Sequence, residues 1–262
     1  MCTVSWIHDK DGYQLLCNRD EKLTRKSARE PRLAVRYGTR FLAPVDGDFG
    51  GTWIATNEFG VSVCLLNGAN LTGSEIHAGA PGRSRGLLVL DLIPLASVAA
   101  ICNRLRETDL SAFAPFTLAA LEPGRPVAIL EWNRSKKTLL FEGAERFMLT
   151  SSSFDSEEVQ RSRHEEYSRV EYRHVHDGEG LFAFHRSHAP ARSAYSTCMH
   201  RTDAETVSFS RIQVTDQETD FCYTPGAPCE NLPGVRLKLA RRRSSDPSQQ
   251  HQARGGQVQK AS

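Results

Sequence analysis

The stretch Met1-Cys2-Thr3-Val4-Ser5-Trp6-Ile7-His8, a turn at Asp9-Lys10-Asp11-Gly12, and the run Tyr13-Gln14-Leu15-Leu16-Cys17-Asn18-Arg19-Asp20-Glu21 decide how this chain folds. Two apolar runs flank turn chemistry, so the chain opens directly into a β-hairpin. A short hairpin brings its outer ends together, which returns residues 17–21 to the side of Cys2. Alternation along the second strand sends Asn18 and Asp20 to one face and Arg19 and Glu21 to the other.

That pairing suggests chemistry at the terminus. A small second residue favours removal of Met1, which leaves a thiol and a free α-amine on Cys2. The amine titrates near pH ~8 and can serve as the base that activates the thiol. A guanidinium at Arg19 favours a thiolate, and a carboxylate at Asp20 can hold an ammonium group in place. A strand directly after the nucleophile can fix it, whereas a loose terminus cannot. The plainer reading is a small residue in an edge strand beside a solvated ion pair.

Outward from the hairpin, residues 51–56 and 61–66 form a second one around Asn57-Glu58-Phe59-Gly60. Its second strand is apolar throughout, as in a strand covered on both faces. Residues 22–32 read as a polar loop ending at Pro31. Residues 67–83 read as a long glycine-rich loop, which in a compact domain is often functional. Helices are predicted over 84–93 and 95–106, the latter with Val98, Ile101, Cys102 and Leu105 on one face. Strands follow near 117–121, 127–132, 138–141 and 147–150. An exposed helix over 155–171, capped by Asp155, precedes strands near 195–200 and 206–214. The pattern is α+β, helices packed on sheets, without an internal repeat. Residues 1–234 form the domain. Residues 235–262 turn to Arg, Ser, Gln and Gly, a composition that predicts a disordered basic tail.

Charge supports that division. The net charge of +2 combines a tail of +6 after residue 235 with a body of −4. An acidic body argues against nucleic acid as a partner. No window approaches the ~18 apolar residues of a membrane span. The seven cysteines are scattered and odd in number, without a C-x-x-C pair, which points to a reducing, cytoplasmic setting. His174-Val175-His176 and His185-Arg186-Ser187-His188 have no carboxylate or Cys at ligand spacing. They read as surface or hydrogen-bonded histidines, and no metal is expected. Covalent c-type haem is excluded by the lack of C-x-x-C-H.

The sequence resembles the NRDE family, also called the transport-and-Golgi-organisation 2 family. Met1-Cys2-Thr3, Asn18-Arg19-Asp20-Glu21, Gly50-Gly51-Thr52-Trp53, Leu65-Leu66-Asn67 and Ser84-Arg85-Gly86 occur in register. The resemblance runs to about residue 215 and implies a four-layer αββα sandwich, the fold of N-terminal-nucleophile hydrolases. That fold also serves cholylglycine and penicillin V amidohydrolases, which use a terminal Cys. By this resemblance Cys2 is the nucleophile, and Arg19 and Asp20 match a catalytic Arg and Asp that those enzymes space apart. Asn18 and Glu21 match the same pair equally well, so they are kept as substrate-binding candidates. Asn67, at a strand end, can offer its amide to an oxyanion. Ser151 stands where those families carry an Asn, after Leu149-Thr150. Two functions follow as expectations. One is hydrolysis of a non-peptide amide bond in a small acylated substrate, with no cofactor. The other is binding of haem or a lipid-like ligand, in keeping with links of eukaryotic members to haem mobilisation, lipid metabolism and secretory organisation.

Overall fold

The computed structural model describes residues 2–68, 82–173 and 178–242. The expected hairpin is β1 (Cys2–His8) and β2 (Tyr13–Lys22), paired antiparallel with Cys2 opposite Arg19. Then come β3 (Arg29–Arg36), β4 (Thr39–Val45), β5 (Ile54–Asn57) and β6 (Ser62–Asn67). Helices α1 (Arg85–Leu92) and α2 (Val98–Glu107) lead into β7 (Phe116–Leu121), β8 (Val127–Trp132), β9 (Lys137–Glu142) and β10 (Arg146–Ser151). After α3 (Ser156–Arg173) and α4 (Gly178–Arg186) the chain adds β11 (Ala204–Val214), β12 (Glu218–Pro225), a 3-10 turn (Pro228–Glu230) and β13 (Val235–Ala240).

Two sheets result, ordered β10-β1-β2-β11-β12-β13 and β3-β4-β5-β6-β7-β8-β9. Each sheet is apolar on its inner face because its strands alternate. Val4, Trp6, Tyr13, Leu15 and Cys17 meet Ile54, Cys64, Leu66 and Ile129 between the sheets. Outside the second sheet, α1 and α2 bury Leu88, Leu92, Ile101 and Leu105. Outside the first, α3 and α4 bury Tyr167, Val170, Leu181 and Phe184. This is the four-layer αββα sandwich of the N-terminal-nucleophile hydrolases.

The structure departs from the sequence reading in four places. The segment 22–32, read as a loop, holds the start of β3, because Pro31 is tolerated on an edge strand. Helix α3 is not an exposed helix. Val159, Arg163, Tyr167 and Val170 form one buried stripe, obscured in the sequence because an arginine occupies one of its positions. Residues 195–200 form no strand, and α4 and β12 were not anticipated. Residues 235–240, assigned above to the tail, form β13 against β12, with Leu239 buried. The alternation Val235-Arg236-Leu237-Lys238-Leu239 is that of an edge strand whose charges face solvent. The glycine-rich segment 69–81, His174, His176 and the tail beyond 242 lie outside the described residues. Among the described residues, no helix is long and apolar enough to cross a membrane.

Candidate functional site

Cys2 sits between Arg19 on β2 and Ser151 on β10, in register with both. Its side chain points between the sheets and borders a cavity of about 630 Å³. Glu21, Trp53, Asn67 and Arg85 line the same cavity, so residues from both sheets and from the start of α1 converge there. A backbone approach explains how α1 reaches it. Gly51 and Gly86 are packed so closely that a Cβ on Gly51 would lie 2.6 Å from the Gly86 carbonyl carbon. Thr52 N–H donates to Gly86 O at 3.1 Å and locks the contact. Two sequence motifs therefore dock on each other, and the docking places Arg85 beside the cavity.

Arg19 is buried, its guanidinium 4.3 Å from the Trp53 ring centroid. It donates to Asp46 Oδ2 at 2.6 Å and lies 3.5 Å from Glu21 Oε2. Arg25 joins the same carboxylates, at 2.9 Å from Asp46 and 3.5 Å from Glu21. Arg85 differs. Its guanidinium donates to a backbone carbonyl, Pro115 O, at 2.8 Å, and burial lowers its pKa from the ordinary value. Among the described residues no carboxylate lies within ion-pair distance of Arg85, although Glu21 across the cavity acts to raise its pKa. Five arginines (19, 25, 83, 85 and 134) line the cavity against three carboxylates, so its field favours an anion.

The thiol of Cys2 lies against that of Cys17 in the core. Contact with the Cys17 thiol and burial push its pKa well above the usual value. Cys17 in turn lies 3.8 Å from Cys64, making a column of three thiols through the core. Arg19, the guanidinium expected to favour the thiolate, is itself held by Asp46 and Trp53.

Three other site candidates shift. Asn18 faces away from the cavity, with its amide donating to His185 O and Thr197 O at 2.9 Å each. It holds the helical layer and is not among the residues that line the cavity. The Asp20 carboxylate also lies on that face: Oδ1 accepts from Thr206 at 2.7 Å and Oδ2 from Arg163 at 3.2 Å. These bonds make Asp20, which also borders the cavity, a positioning residue. Ser151 is opposite Cys2 but is not among the lining residues; its buried hydroxyl has no hydrogen-bond partner among the described residues. His185 bridges Ser5 at 2.8 Å and Asn18 at 2.9 Å. The arrangement has the connectivity of a catalytic triad. All three members are fully buried, so it is a core network closed to substrate. Asp46 and Arg25 were missed because nothing local marks them. Arg85 carried a signal, since it stands inside Ser84-Arg85-Gly86.

The profile of the family described as Transport and Golgi organisation 2 matches residues 1–219. The chain belongs to this family. No curated protein matches it at a significant level. Solved structures show the fold that the family chain adopts. An N-acylethanolamine-hydrolysing acid amidase orthologue of Caenorhabditis elegans has a TM-score of 0.58 at 11% identity, over 81% of this chain and 92% of that one. A mutant conjugated bile acid hydrolase from Clostridium perfringens has a TM-score of 0.58 at 12% identity, over 91% of this chain and 92% of that one. Penicillin V acylase of Agrobacterium tumefaciens has a TM-score of 0.53 at 11% identity, over 92% of this chain and 86% of that one. At these identities the likeness is one of fold.

Proposed function

We propose that this family member hydrolyses the amide bond of a small acylated substrate bearing an anionic group, with Cys2 as nucleophile. The observation that carries the reading is the convergence of Cys2, Asn67 and Arg85 on one cavity between the sheets. With Met1 removed, the α-amine of Cys2 takes the thiol proton as Sγ attacks the carbonyl carbon. Asn67 and a backbone N–H stabilise the oxyanion. The C–N bond then breaks, and the amine leaves with the proton held by the α-amine. Water, deprotonated by the same amine, attacks the thioester, releasing the acid and restoring the thiol. Contact with Cys17 and burial raise the thiol's pKa, so its activation in this scheme rests on the α-amine that removal of Met1 exposes on Cys2 itself. Arg85 binds the anionic end. The seven cysteines, all free thiols, suit a reducing compartment such as the cytoplasm.

The test is turnover of a panel of N-acyl amino acids and N-acyl amines by protein whose intact mass shows that Cys2 is first. Cys2→Ala abolishes turnover, and Asn67→Ala lowers it by ~100–1,000-fold. Turnover that survives Cys2→Ala rejects the mechanism.

A second reading rests on the same arginines: the cavity binds the acidic head of an amphipathic ligand, such as haem or a fatty acyl compound, without chemistry. It is supported by absence of turnover in processed protein together with a rise in Tm on adding the ligand.

A further inference from the structure

Behind the sheet, on the face opposite the cavity, four ligand-type side chains converge. His188 follows α4, Cys198 and His200 belong to the loop before β11, and Cys229 lies in the 3-10 turn after β12. Their donor atoms all lie within 4.8 Å of one another. His188 Nε2 is 3.2 Å from His200 Nε2, and His200 Nε2 is 3.5 Å from both Cys198 Sγ and Cys229 Sγ.

Hydrogen bonding is a poor account of these distances. One ring nitrogen holds a single proton or a single lone pair, so His200 Nε2 can satisfy only one of three neighbours that all point at it. A tetrahedral ion accounts for all three. Zn–N bonds of ~2.05 Å and Zn–S bonds of ~2.3 Å require tetrahedron edges of about 3.3 Å for N···N and about 3.5 Å for N···S. The observed separations are 3.2, 3.5 and 3.5 Å.

We propose that His188, Cys198, His200 and Cys229 form a Cys2His2 zinc site with a structural role. Two thiolates and two imidazoles in tetrahedral array select zinc over the hard cations. Four protein ligands leave no open position, which marks a structural centre and not a catalytic one. Binding releases the two thiol protons to solvent and yields a neutral centre, with two thiolates balancing Zn²⁺. Both histidines coordinate through Nε2, so their Nδ1 atoms carry the protons. Arg192, now 3.3 Å from His200 Nδ1, is exposed and turns into solvent when that proton is present.

The site clips together three segments that share no strand pairing: the end of α4, the 193–200 loop and the turn after β12. That loop supplies Thr197 O to Asn18 and Met199 N–H to Thr206 Oγ1. Thr206 donates to Asp20. The clip therefore braces β2 from behind, at the residues flanking Arg19. The sequence reading dismissed the histidines because no Cys stood at local spacing. His188 finds its thiols ten and forty-one residues on.

Metal analysis of untagged protein purified under reducing conditions tests this directly. About one zinc per chain is expected, retained in Cys222→Ser and lost in a Cys198→Ser/Cys229→Ser double variant. Because that variant can fail to fold, wild type stripped of metal is also titrated with Co²⁺. The expected spectrum has thiolate-to-cobalt charge transfer and strong tetrahedral d–d bands, saturating at one equivalent. Absence of both zinc and cobalt bands in reduced wild type overturns the proposal, as do cobalt bands that persist in the double variant. A Cys198–Cys229 disulfide in freshly reduced protein, found by peptide mapping, overturns it too.

Discussion

Asn18 and Asp20 leave β2 on one face, Arg19 and Glu21 on the other, and the two faces are built differently. The outer face is closed to solvent: Asn18, Asp20, Ser5, His185 and Arg163 are all buried at or below 1% exposure and share hydrogen bonds with one another and with the loop before β11. The inner face opens on a cavity where arginines outnumber carboxylates and Arg85 has a backbone carbonyl as its partner. One four-residue run thus serves as frame on one side and as site on the other. A motif read along the chain mixes these roles. Strand alternation separates them.

The contrast breaks first at Asp20. Its carboxylate faces Arg163, and both side chains are 0% exposed. Removing one partner of a buried pair leaves an uncompensated charge and costs ~3–5 kcal/mol. Asp20→Ala is therefore expected to be the most damaging change in the run, read as a lowered urea midpoint. A loss below ~1 kcal/mol would place Asp20 with the cavity residues and not with the frame.

The sequence disclosed the first hairpin, the helical pair after residue 84 and the central strands, because their apolar periods are local. It did not disclose β12, α4 or the buried face of α3, where Arg163 occupies a core position made tolerable by Asp20, Thr3, Thr150 and the Ala194 carbonyl. At the site, Cys2 and the side of β2 that it meets were legible from hairpin pairing. Arg25 and Asp46 were not, because their meeting depends on how β3 and β4 fold back. The boundary at 234 failed for a related reason: the alternation in β13 was outweighed by the arginines around it. Truncation after Gly234 should cost at least ~2 kcal/mol, the lower range for losing one buried Leu, since Leu239 is 3% exposed. Truncation after Arg242 should leave Tm unchanged. Differential scanning calorimetry of the two truncated chains separates strand from tail, and equal Tm values would return the boundary to 234.

A pH series sharpens the account of the outer face. Burial lowers His185 from 6.5 to about 3, so in the folded chain the ring is neutral between those values while the unfolded chain takes up a proton. The stability it contributes is complete above pH ~6.5, falls as pH drops through the window, and stops falling below about 3. Linkage puts the loss on the order of 2 kcal/mol by pH 5. His185→Gln should be less stable at pH 7 and show a shallower decline, measured by urea unfolding at each pH. An equally steep decline in the variant would assign the acid sensitivity to other groups.

The smallest stability effect belongs to the inner face, at Glu21. Its side chain is 19% exposed and lies 3.5 Å from both Arg19 and Arg25, which also share Asp46. Glu21→Gln should change folding stability by less than ~1 kcal/mol, because partly solvated pairs contribute little and Asp46 still holds both arginines. Its effect on ligands has a definite sign. Removing one negative charge from the cavity wall favours an anion there, and one unit charge at ~4 Å in a watery site is worth ~1 kcal/mol, or about fivefold. Binding of an anionic ligand or substrate should therefore tighten several-fold in Glu21→Gln and weaken in Arg85→Ala, while a neutral analogue responds to neither. Those opposed shifts, read as Kd or KM at low salt and shrinking as salt rises, are what a cationic cavity requires. Equal responses of charged and neutral ligands would mean that the arginines hold the walls together and take no part in recognition.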